Sequence, residues 1–91
     1  MTKKETEKTV LETAQELIYG DRQKQYGSAT KNFGDMAKMW SVIVGTEISP
    51  EQVVLCMAAL KICRYNHSKT TDSAVDLCGY AGCLEKLEKG L

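Results

Sequence analysis

The sequence predicts an all-α protein, a small four-helix bundle completed by oligomerisation. Three observations carry this expectation. Apolar residues recur at three- and four-residue intervals in four separate stretches, no stretch alternates with period two, and Ser49-Pro50-Glu51-Gln52 spells a helix start. Ninety-one residues make one domain, read as a frayed end over 1–6 and a single helical domain over 7–91. A monomer of this size buries only about 60–65% of its unfolded surface, which favours a homo-oligomer.

The first helix is expected over residues 4–19, where Val10, Leu11, Ala14, Leu17 and Ile18 form an amphipathic stripe that Gly20 ends. GDRQKQYGS follows as a connecting segment anchored by Tyr26. A second helix is expected from Ala29 to Val44, burying Phe33, Met36, Ala37, Trp40 and Val44 and stopping at Gly45. In the third, Ser49 caps, Pro50 takes the first helical position and Gln52 closes a capping box. It runs through Val53, Val54, Met57, Ala58, Leu60 and Lys61 to about Asn66, and its nearly all-round apolar surface marks it as the central helix. After the polar HSKTT break, Thr71 or Asp72 is suited to cap a fourth helix over 72–88. Val75, Leu77, Cys78, Ala81, Leu84 and Leu87 face its core, and Gly90 lies just beyond its end.

Twelve basic and twelve acidic residues cancel, so the chain lacks the positive field that duplex DNA binders use. No apolar run approaches the roughly 18–20 residues that cross a bilayer, and MTKKETEK has no signal-peptide hydrophobic segment; the chain reads as cytoplasmic. Cys56 and Cys63 are seven apart, Cys78 and Cys83 five apart, and neither spacing suits zinc or a redox dithiol. They read as reduced core cysteines. His67, with no second histidine, reads as neither ligand nor catalyst.

The polar residues around the HSKTT break form the candidate site. Lys61 and Arg64 project from one side near the end of the third helix, while Asp72, Asp76 and Tyr80 follow one another along the fourth. Dipole preferences alone account for cations at a helix end and carboxylates at a helix start. If the two helices form an antiparallel hairpin, the same residues meet at a polar corner. That corner is either an ion-pair network, or a pocket whose cations take phosphates while its carboxylates accept ribose hydroxyls or hold a metal. Arg22 and Lys24 would add a basic rim, Tyr26 a stacking ring and Asn32 an amide that reads a base edge. Trp40 and Phe33 read as core.

DRQKQYGSATKNFGDMAKMW and LKICRYNHSKTTDSAVDLCGYA resemble a family of small phage helical proteins. The shared pattern is R-x-x-x-Y-G, N-F-x-x-x-A-x-x-W, and L-K-x-x-R ahead of D-S-x-x-D-x-x-G-Y-A. The resemblance spans residues 12–85 and carries no established chemistry; it implies the cytoplasm of an infected bacterium. The helical layout distantly resembles the MazG-like all-α nucleotide pyrophosphatases, which are oligomeric and use magnesium. That family's site takes a Glu-x-x-Glu pair on one helix and a Glu-x-x-Asp pair on the next. Here Asp72 and Asp76 would stand for the second pair, but Lys61 and Arg64 occupy the helix where the first pair belongs.

Three functions are weighed in consequence. The first is a non-enzymatic phage protein that sequesters a small nucleotide at an oligomer interface, of the immune-signal type such as cyclic ADP-ribose, so countering host defence. Lys61, Arg64 and Arg22 would hold phosphates, Tyr26 would stack, and Asp72, Asp76 and Asn32 would read hydroxyls or a base, with Tyr80 on the same side. It needs no cofactor, and the interface is invoked because a bundle this small is expected to lack a pocket of about 300–1,000 Å³. The second is a MazG-like pyrophosphatase with magnesium on Asp72 and Asp76. The third is a helical protein–protein adaptor.

Overall fold

The structure, a computed structural model, describes residues 7–21 and 27–91. Four helices follow in order: α1 (Val10–Glu16, extended by a wider π-helical turn, Leu17–Asp21), α2 (Ala29–Val44), α3 (Pro50–Ser68) and α4 (Thr71–Lys89). Among the described residues there is no strand, and no helix is long and apolar enough to cross a membrane. The all-α bundle is therefore as the periodicity predicts. Residues 1–6, read from sequence as a frayed end, lie outside the described residues.

The first helix departs most from expectation. Thr9 starts it, not residue 4: the Thr9 hydroxyl accepts from the Glu12 N–H at 3.1 Å, and the Thr9 N–H donates to the Glu12 carboxylate at 2.8 Å. This capping box satisfies two amide donors that a helix start otherwise leaves unpaired. At the other end Gly20 leaves helical geometry (φ −106°, ψ −112°), so the chain turns away through the π turn. Leu11, placed on the buried stripe, is 70% exposed.

The other boundaries are local. Ser28 caps α2 and Gly45 ends it at φ 84°, a left-handed conformation that glycine adopts without cost. The Ser49–Gln52 capping box and Pro50 open α3 as read. Its last turn reaches Ser68, so His67 is helical. The cap of α4 is Thr70, one residue before the expected pair; its hydroxyl accepts from the Ser73 N–H and donates to the Ser73 hydroxyl at 2.9 Å.

The core is thin. Ala29, Phe33, Ala37, Val53 and Val54 form one buried cluster where α2 crosses α3, and of these five only Val53 and Val54 are fully buried. α3 packs most extensively on α4, and α4 also receives α1. The molecule measures 53 × 30 × 19 Å, and its radius of gyration of 14.7 Å exceeds the about 12 Å of a compact domain of this length. Several expected core positions are open to solvent: Val44 at the end of α2, Leu60 and both Cys56 and Cys63 on α3, and Ala81 on α4. The expectation of α3 as the central helix fails, since α4 is the helix that packs on the other three, and the reason is physical. Periodicity shows which residues share a face, not whether anything packs on that face.

α1 is held to α4 by close approach and by a few polar contacts. The tip of the Ile18 side chain lies against Gly82, in the space that a Cβ there would take. The Tyr19 hydroxyl donates to the Glu85 carboxylate at 3.1 Å. That bond, aided by Lys89, holds the Glu85 carboxyl below its usual 4.5, and Glu85 in turn pushes the Tyr19 phenol above 10.0. The Glu12 carboxyl is likewise depressed, chiefly by the Thr9 N–H. A depressed carboxylate contributes stability that is present above its unfolded pKa and lost as pH falls through its folded value. α1 is therefore expected to loosen from α4 first as the pH drops below about 4.5. The check is amide exchange against pH: protection in residues 10–19 should fall before that of α3, and Tyr19→Phe should weaken α1 protection at neutral pH.

Candidate functional site

The four helices leave a cavity of about 390 Å³ between them. Ala14, Leu17 and Ile18 of α1, Phe33 and Met36 of α2, Met57 of α3 and Val75 of α4 give it mostly apolar walls. Besides Ser28 and the Cys83 thiol, five polar side chains interrupt those walls: Asn32, Lys61, Asp76, Tyr80 and Lys86. Four of these five are residues singled out from sequence, brought together from three helices. A single protomer thus already forms a pocket within the usual range for a small ligand, contrary to the expectation that this needs an oligomer interface.

The hairpin of α3 and α4 builds the polar wall. The Lys61 ammonium lies 2.9 Å from the Asp76 carboxylate, with the side chains 17% and 33% exposed. This is the meeting of the two helix ends foreseen at the HSKTT break, but only half of it. Arg64 and Asp72 are exposed and face a second, more open groove of about 540 Å³, which also has His67, Thr70 and Ser73 on its walls. Lys61 and Asp76 line both spaces and so form the partition between them. Lys61 and Arg64 part because three residues turn a helix by about 300°, which leaves them roughly 60° apart.

Sequence reasoning missed Lys86. It is 3% exposed, donates from its ammonium to the Ile18 carbonyl in the π turn, and sits 4.7 Å from the centre of the Tyr19 ring. A buried cation needs such partners: a backbone carbonyl and an aromatic face both supply negative potential. The available signal was its register, since Gly79, Cys83 and Lys86 follow one another at four and three residues along the cavity wall. A lysine in the last turn of a helix is more readily taken for a dipole partner.

Arg22 and Tyr26, with Lys24, lie outside the described residues. Among the described residues no three His, Cys, Asp or Glu side chains gather as a metal site requires. Asp72 and Asp76 share the open groove, only Asp76 also reaches the cavity, and Asp76 is already paired with Lys61. Among the described residues of this corner two carboxylates, one of them in an ion pair, stand where the pyrophosphatase reading expects two pairs, so magnesium there would take its remaining oxygen ligands from substrate phosphates and water.

The family model described as a domain of unknown function, DUF6378, matches residues 9–88. A protein of Mycobacterium phage L5 named Gene 55 protein is 40% identical over 82 residues, covering 88% of this chain and 53% of the relative. A protein of the same name from Mycobacterium phage D29 is 41% identical over 80 residues, covering 87% and 53%. The chain spans about half the length of these curated relatives. No solved structure matches it.

Proposed function

The chain belongs to the DUF6378 family and has relatives in mycobacteriophages; from that premise we propose that it binds a small nucleotide in the cavity between its helices and holds it without chemical change. The observation that carries this reading is the convergence of Asn32, Lys61, Asp76 and Tyr80 on one mostly apolar cavity. Apolar walls with a few aimed polar groups suit a ligand that joins a flat ring to a charged group. The ring would lie against Phe33, Met36 and Val75, with the Asn32 amide at its edge. A phosphate would draw Lys61 from Asp76, gaining a charge-assisted bond, and the released carboxylate would accept a ribose hydroxyl. Holding a nucleotide in this way would serve to sequester a host defence signal, of which cyclic ADP-ribose is the type.

Turnover is the weaker reading, because the carboxylates that magnesium would need are not gathered among the described residues. Both are tested by incubating the protein with ADP-ribose, a cyclic ADP-ribose, a cyclic dinucleotide and ATP, with and without magnesium. Unbound ligand is removed, the protein is denatured, and the released mass is read. An intact nucleotide recovered without magnesium is the expected result. Products that form only with magnesium would replace binding by hydrolysis, and an empty protein would end the nucleotide reading.

A further inference from the structure

The outer side of α3 carries information that the cavity does not use. Val53, Val54, Met57 and Lys61 point into the bundle. On the opposite side Leu55, Cys56, Ala59, Ile62 and Cys63 are all exposed, Leu55 and Ile62 at 55% each. These positions follow the i, i+1, i+4, i+7, i+8 pattern of a buried helix face. Extended by one turn at each end, the stripe reads Gln52, Leu55, Ala59, Ile62, Asn66, alternating three and four residues as a two-helix seam does. Seven positions on this side, from Gln52 to Asn66, carry no charge in a chain that is 26% charged. A face selected for solvent would not be so bare.

We infer that this face is the contact between two copies of the chain, paired antiparallel about a twofold axis through Ala59. The register is self-complementary on that axis. Gln52 lies level with the partner's Asn66, Leu55 with the partner's Cys63 and Cys56 with the partner's Ile62, so Leu55 and Ile62 of opposite chains, like Cys56 and Cys63, are offset by one residue, about 1.5 Å, and Ala59 meets itself, small enough for helices to approach closely. Antiparallel pairing also opposes the two helix dipoles. The exposed apolar stripe with its flanking Leu60 and Tyr65 offers on the order of 600 Å² per protomer, the lower end of what a specific dimer buries. The protomer has reason to use it: it is 19 Å thick, and among the described residues only two large side chains are fully buried. The dimer adds a helix layer on the side of α3 away from the cavity, so it is independent of the nucleotide reading.

The test is sedimentation equilibrium of the full chain at micromolar concentration, with circular dichroism to verify helicity. The wild type is expected at twice the 10.1 kDa chain mass. Ala59→Glu, which sets two carboxylates against each other on the axis, is expected at the monomer mass with its helices retained; Ile62→Glu should behave alike. A short bismaleimide gives the orientation. It should yield covalent dimers of the wild type on a denaturing gel, and either Cys56→Ser or Cys63→Ser should suppress them, because each link joins one cysteine of each kind. A monomeric wild type, a dimer that survives both glutamates, or dimers linked Cys56 to Cys56 would overturn the inference; a monomer would leave the face to a different protein chain.

Discussion

Replacing Phe33 with alanine is expected to cost about 3–5 kcal/mol of folding stability, the largest effect of any single truncation among the described residues. Phe33 sits in the small buried cluster with Val53 and Val54, the only large side chains wholly out of water among the described residues. Its removal would lose ring burial and merge the vacated volume with the 390 Å³ cavity that it borders, so the site has little means of collapsing. For a domain of this size each kcal/mol moves the melting temperature by about 4–8 °C. Thermal and urea unfolding at one fixed protein concentration measures the loss, since association would make the midpoint concentration-dependent. Leu11→Ala, at a position 70% exposed, is the control and should change stability by less than about 0.5 kcal/mol. A Phe33→Ala cost under about 1 kcal/mol would mean that the core lies elsewhere.

The second large effect is on binding. Lys61→Met keeps the stem that packs on the cavity wall and removes only the ammonium. Loss of a charge-assisted bond to phosphate is expected to weaken nucleotide retention by about 10–100-fold. Stability should hold, because the Lys61–Asp76 pair is partly solvated and such pairs contribute little to folding. Arg64→Ala should leave retention unchanged, since Arg64 faces the open groove and not the cavity. Asp76→Asn separates binding from catalysis: under binding it alters affinity modestly, whereas under magnesium-dependent hydrolysis it abolishes turnover. Equal retention by wild type and Lys61→Met would remove Lys61 from the site.

These two positions show what a sequence of this kind makes legible. Phe33 is readable as core because its neighbours at four residues on either side, Ala29 and Ala37, are small and buried with it, which leaves one bulky side chain to fill the layer. The start of α3 is readable because Ser49, Pro50 and Gln52 act within one turn. Thr9 and Glu12 obey the same local rule, but the expected helix over 4–19 took the Lys and Glu residues before Thr9 as a polar helix face and so began six residues before Val10. Lys61 and Asp76 are readable as a pair because a short hairpin must bring them together. Arg64 and Asp72 are not separable from them without the rotation of each helix about its axis, a tertiary quantity that packing sets. The cysteines show the same limit: Cys56 and Cys63 sit on an apolar face, but on the face that the protomer leaves open.

The central claim is that the cavity is a binding site, and amide shift mapping tests it most directly. The full chain, labelled with nitrogen-15, would be titrated with ADP-ribose, a cyclic ADP-ribose, a cyclic dinucleotide and ATP in the absence of magnesium. The account predicts that at least one of them produces saturable shifts confined to the cavity wall, at Asn32, Lys61, Asp76, Gly79, Tyr80 and Cys83, which Lys61→Met attenuates. No shift with any of the four, or shifts centred on Leu55, Ala59 and Ile62 instead, would contradict it.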